Sequence, residues 1–162
     1  MSSVRAGIGN AAGTLLRTRW VVRAPIVLYR ARLGFMFGRR LLMLEHRGRR
    51  TGARRYVVLE VIDNPAPGQY VVASGFGFRA QWLRNVQHDP RVRVTIGSHR
   101  PKDATATLLD RDQGSEALRR YAEQHPRAWE QLKPIFEQLL GSAITETETA
   151  LPLVKLSVEA RE

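Results

Sequence analysis

The chain contains no cysteine, which excludes disulfides, thiolate zinc sites, cysteine-ligated iron–sulfur clusters and a cysteine nucleophile. Acidic side chains are nearly missing from the first sixty positions, where thirteen arginines face only Glu45 and Glu60. No apolar run approaches the roughly 18 residues that a membrane span needs. The first twenty residues lack the continuous apolar segment and small-residue cleavage site of a secretory signal, so a cytoplasmic protein is expected. Familiar chemical signatures are missing too. Gly75-Phe76-Gly77 has no third glycine and no long helix after it, and no P-loop occurs. His46, His88, His99 and His125 are scattered without metal-ligand spacing, so no metal site is expected. Ser74 does not sit in a GxSxG elbow, and spacing singles out no carboxylate pair. Hard chemistry, if any, then belongs to a bound cofactor.

What is present is charge, placed unevenly. The net charge of +11 lies wholly within residues 1–60, because basic and acidic side chains cancel in the remainder. Such asymmetry speaks of partners, and the candidates are nucleic acid, an anionic membrane surface or a polyanionic small molecule. The densest part is Arg47 to Arg55, RGRRTGARR, set between the apolar runs LLML and YVVLEV. Glycine lets a backbone turn tightly and aim its amides at an anion, while arginine offers a planar fork for carboxylate or phosphate oxygens. A hairpin tip of this composition reads either as an anion cradle or as a basic solvated turn.

The 162 residues are expected to form a single domain, with an arginine-rich helical segment over 1–34 and a barrel over 40–160. Strand-like runs occupy 41–46, 56–62, 69–75, 92–97, 104–109 and 151–158, rich in Val, Ile, Leu, Thr and Tyr. Short gaps between them favour antiparallel pairing. One short helix is expected in AQWLRNVQHDP, and two more after Asp112, separated by His125-Pro126. The order fits a small antiparallel barrel with helices packed outside it. Two further segments draw attention: the small-residue strand end Val72-Ala73-Ser74-Gly75, and the helix bearing Trp82 and Asn85 on one face. Each has an ordinary alternative, as a strand end and as a core anchor.

The series LLMLEHRGRRTGARR, YVVASGFG and QWLRNVQHDPRVRVTIG resembles the deazaflavin-dependent nitroreductase and quinone reductase family, over about residues 22–110. The resemblance rests on a G-R-[KR]-[ST]-G hairpin, an A-S-x-G strand end and a W-x-x-N helix in that order. It implies an α+β, mainly β fold, the split β-barrel with helices outside, and the coenzyme F420, a deazaflavin with a phospholactyl-polyglutamate tail. It places Arg49, Arg50, Thr51 and Gly52 at the tail or phosphate, and runs Arg55, Tyr56, Val57 and Val58 along the cofactor. Ala73, Ser74 and Gly75 would line the deazaflavin end, and Trp82, Leu83 and Asn85 would close the site. Charge-assisted bonds to such a tail are worth roughly 1.5–3 kcal/mol each when partly desolvated.

The chain departs from the nitroimidazole-reducing members at several points. Gly75 follows the strand-end serine where they often carry a basic residue, Ala80 stands in place of a proline, and Glu60 replaces a substrate-facing tyrosine. The resemblance therefore implies an oxidoreductase that passes a hydride from reduced F420 to a lipophilic, electron-poor acceptor such as a quinone. Ser74 is the catalytic candidate, as a group polarising the acceptor or a ring oxygen. Alternatives are a non-catalytic carrier of cofactor or lipid on the same fold, flavin mononucleotide (FMN) or haem as ligand, and a nucleic-acid module. The last lacks the interleaved aromatics of a base-stacking platform, so no nucleic-acid partner is expected. A monomer or homodimer is expected, with the N-terminal segment as a lid or as a contact to the inner face of the plasma membrane.

Overall fold

The computed structural model describes residues 41–144 and 151–160. The expectations for the arginine-rich segment 1–34 lie outside the described residues. Six strands, β1 (Leu41–Arg47), β2 (Arg54–Asp63), β3 (Gln69–Ala73), β4 (Arg91–Ile96), β5 (Lys102–Leu108) and β6 (Leu153–Val158), form the sheet. Its order is β1-β2-β3-β6-β5-β4, every pair is antiparallel, and β1 pairing with β4 closes the barrel. Closure leaves no exposed edge for another strand to join.

Alternation along the strands builds two cores. Leu42 and Leu44 of β1, Leu59 of β2, Val72 of β3 and Leu156 of β6 fill the barrel. The helix α1 (Gln81–His88) sets Trp82, Leu83 and Val86 against the same cluster, at the end where β1 turns into β2. The opposite faces of β2 and β3 carry Ile62, Val71 and Ala73, covered by α2 (Arg111–Gln124) and α3 (Pro126–Leu140). Ordinary alternation turns Val61 inward and Ile62 to the outer core, and the register with β3 shifts between Val61 and Asp63.

Local chemistry starts and stops the two long helices. Asp110 and Gln113 form a reciprocal capping box at the start of α2, with Gln113 N donating to Asp110 Oδ1 at 2.8 Å. Pro126 occupies the first turn of α3, where its missing N–H costs nothing, and Gly141 ends that helix in a left-handed conformation at φ 72°. Gly114 lets α2 approach β6 closely, since a Cβ there would lie 3.2 Å from Leu153 Cδ1.

The third strand ends two residues earlier than its composition predicts. At Ser74 the main chain leaves the sheet: its N–H donates to Pro152 O at 2.9 Å, and its carbonyl accepts from Gly77 N at 2.9 Å. A tight turn and a single turn of 3-10 helix at Gly77–Arg79 follow, leading into α1. Among the described residues no helix is long and apolar enough to cross a membrane.

Candidate functional site: an arginine-lined cleft

The hairpin between β1 and β2 is held by its own backbone. Gly48 N donates to Ala53 O at 2.8 Å, and Gly52 N to Gly48 O at 2.7 Å. Gly52 takes φ 68°, a left-handed conformation that glycine adopts without strain. At Gly48 a Cβ would come within 3.0 Å of Arg55 Nε and 3.1 Å of Thr51 Oγ1, so a larger residue would press on both side chains.

Asn85 fastens this hairpin to α1. Its side chain is buried, and its Oδ1 accepts from the Arg49 main-chain N–H at 3.1 Å and from the Arg49 guanidinium at 3.0 Å. Its amide Nδ2 meets Nδ1 of buried His46 at 3.1 Å. An amide nitrogen can only donate, so Nδ1 accepts and the imidazole proton sits on Nε2. Burial, and then the charge of Arg55, hold the His46 pKa down to about 4, so the ring is neutral at pH 7. The chain from His46 through Asn85 to Arg49 thus satisfies buried polar groups drawn from two distant segments.

Above this junction lies a cleft of about 430 Å³ lined by Gly48, Arg49, Arg50, Thr51, Arg55, Gln81, Arg84 and Asn85. Four of its eight residues are arginine and none is acidic, a donor set suited to a multivalent anion. Gln81 and Arg84, three positions apart on the exposed face of α1, complete the wall. Arg84 Nε donates to Phe78 O at 3.2 Å, which ties the cleft to a turn whose Phe76 and Phe78 are 59% and 56% exposed.

Of the residues singled out by sequence, Arg49, Arg50, Thr51, Gly52, Arg55 and Asn85 are thus brought together at or beside one cleft. Tyr56 follows Arg55 on the outward side of β2 with Val58 two residues on, while Val57 faces the barrel core. Trp82 and Leu83 are buried in that core as well and support α1 from beneath.

Ala73, Ser74 and Gly75 lie elsewhere. Ala73 packs in the outer core with Phe136 of α3, and a Cβ on Gly75 would touch Phe136 and Leu139 at 3.3 Å. Ser74 is fully buried, and its hydroxyl donates to Gly77 O at 2.7 Å. This corrects the expectation that Ser74 faces a ligand. The hydroxyl closes the turn after β3, and burial keeps it from any acceptor. Glu60 is likewise engaged, accepting from the Tyr121 hydroxyl of α2 at 3.0 Å. His46, Gln81 and Arg84 were the residues missed. The inward parity of His46 on β1 and the three-residue spacing of Gln81 and Arg84 were the available signals.

The arrangement offers anion binding and positioning. Among the described residues no group of three His, Asp or Glu could hold a metal ion. Comparison with known proteins assigns the barrel. The fold is a split β-barrel, shared with an F420-H2 dependent reductase, FDR-A, at 22% identity, covering 74% of this chain and 96% of that one, TM-score 0.52. A chain described as a domain-swapped dimer aligns at 21% identity over 74% of this chain and 81% of that one, TM-score 0.52. The protein Atu2129 of unknown function from Agrobacterium tumefaciens aligns at 17% identity over 85% and 56%, TM-score 0.55. No curated protein matches the sequence. The family of F420H(2)-dependent quinone reductases matches residues 21–133, and the chain belongs to that family. It is accordingly an oxidoreductase of the F420-dependent kind.

Proposed function

We propose that the protein binds reduced coenzyme F420 with its acidic tail in the arginine cleft and reduces a lipophilic, electron-poor acceptor, of which a quinone is the leading example. The observation that carries this reading is the carboxylate-free wall of Arg49, Arg50, Arg55 and Arg84 around a glycine turn. A tail of carboxylates and phosphate fits that donor set. FMN, with a single phosphate, makes poorer use of four guanidinium groups, and the family match favours the deazaflavin.

When bound, the reduced deazaflavin supplies a hydride to the acceptor. The work of the chain is positioning. Arg50, Arg55 and Arg84 hold the anionic end, while Asn85 fixes the hairpin against α1 so that the guanidinium groups are arranged before ligand arrives. Tyr56 and Val58 lie on the outward face of β2, opposite to Arg55, so the hairpin end of that strand is the part assigned to the coenzyme. Exposed Phe76 and Phe78, in the turn to which Arg84 is tied, are assigned to the lipophilic acceptor. Fixed orientation of two reactants can supply several kcal/mol of barrier lowering without a general acid from the protein. Ser74, Trp82 and Leu83 serve this scheme as supports of the turn and helix.

Anaerobic mixing of the purified protein with reduced F420 and a soluble naphthoquinone tests the proposal. The expected result is protein-dependent appearance of oxidised coenzyme with saturation in both reactants. Tight coenzyme binding with no oxidation by any quinone would make the protein a carrier. Pairing of two chains belongs to the same proposal, and light scattering after gel filtration checks it.

A further inference from the structure

The barrel has a second mouth, at the end opposite the arginine hairpin. There the inward positions of Tyr70, Val94, Ile96 and Val158 form an apolar floor over the packed core, and the loops 64–68 and 97–101 form the rim. The enclosed space is about 540 Å³, larger than the arginine cleft. Its rim is pre-set. Gln69 N donates to Ala66 O at 3.0 Å, Val158 N to Gly68 O at 2.8 Å, and His99 N to Ile96 O at 3.2 Å. Pro65 and Pro67 further restrict the first loop.

Charge at this mouth is one-sided. His99, Arg100 and Lys102 line it, with no carboxylate among the described residues. Lys102 pairs with Val94, whose side chain is in the core, so Lys102 stands on the inward side of β5. The next pair along the same two strands, Arg93 and Asp103, points outward and forms an ion pair at 3.4 Å. The strand pair therefore neutralises its outer cation and leaves its inner one facing the cavity. Among the described residues neither Arg100 nor Lys102 has an ion-pair partner.

We propose that this mouth binds a compact amphipathic anion, an aromatic or short-chain carboxylate, with its apolar body on Tyr70, Ile96 and Val158 and its charge on Arg100 and Lys102. The size is limited from beneath: Leu42 and Leu156 are fully buried in the packed interior, so no tunnel admits a long acyl chain. An apolar floor with a few convergent polar groups is the usual design of a small-molecule site.

The test uses the full chain without coenzyme and three probes: naphthoate, the neutral naphthalenemethanol, and acetate. Calorimetry gives affinities and amide NMR shifts give location. Naphthoate is expected to bind at least about tenfold more tightly than either other probe, because both halves of the site are needed. Its shifts should centre on Ile96, Arg100 and Val158. Arg100→Gln with Lys102→Gln should weaken naphthoate about tenfold or more without moving the melting midpoint, since both side chains are exposed. Arg50→Ala with Arg55→Ala should leave it unchanged. Absence of naphthoate binding, equal binding of the neutral probe, or loss that follows the hairpin variant would each overturn the proposal.

Discussion

Arg119 and Arg120 on α2 are engaged by carboxylates, whereas Arg50, Arg55 and Arg84 at the hairpin cleft face none among the described residues. Arg119 reaches Glu116 at 2.8 Å and Glu123 at 3.0 Å, and Arg120 reaches Asp63 at 2.7 Å. Those ion pairs lie on or near the surface and tie α2 to itself and to β2. In the cleft the same residue type is gathered on a turn and a helix face, and the side chain that accepts from Arg49 there is the neutral amide of Asn85. Gathering like charges opposes folding. The comparison therefore separates arginines that steady the fold from arginines arranged for an anionic ligand.

The largest effect expected on this comparison comes from reversing one cleft charge. Arg84→Glu should weaken F420 binding by roughly tenfold to hundredfold, the range for losing one charge-assisted bond. A tryptophan-fluorescence titration measures it, and unchanged affinity would remove Arg84 from the site. Asn85→Ala comes next. It strands the buried His46 nitrogen and the Arg49 N–H, and should lower unfolding free energy by about 1–3 kcal/mol in a urea titration. A neutral result there would mean that hairpin and helix dock without it.

A third expectation concerns pH. The folded chain holds His46 well below its ordinary pKa of 6.5, at about 4, so only the unfolded chain takes up this proton between those values. Its contribution to stability is therefore complete above pH 6.5 and declines as pH falls toward 4. The difference in urea midpoint between the parent and His46→Gln should narrow across that window. A difference independent of pH would show that the ring is not held neutral by its surroundings. The smallest effect belongs to the other arginine group: Arg119→Ala should change stability by about 1 kcal/mol or less and leave coenzyme affinity untouched. A large loss of binding there would erase the contrast.

Much of the barrel was legible because its strands alternate and are punctuated by Gly, Pro and Asn, as at Asn64–Gly68. The hairpin cradle was legible because glycine and arginine act there through local geometry. Less visible was what chain closure brings together. Asn85 and Arg49 are 36 positions apart, and nothing in either segment announces their hydrogen bonds. His46 looked like one of four scattered histidines until its inward parity met the end of α1. Ser74 read as an open strand end because the return of Pro152 beside it, and the packing of Gly75 against α3, are contacts across the fold. The opposite mouth was hidden for the same reason, being assembled from two loops and four strands.

The central claim is that guanidinium groups on the hairpin recognise the tail of the coenzyme. Arg49 is held by Asn85, so Arg50 and Arg55 are the cleaner positions to remove. Affinities of F420 and of a tailless deazaflavin should be measured for the parent chain and for Arg50→Ala with Arg55→Ala. The account predicts at least about a tenfold loss for the tailed coenzyme and little change for the tailless ring. Equal losses for the two ligands, or none for either, would contradict it.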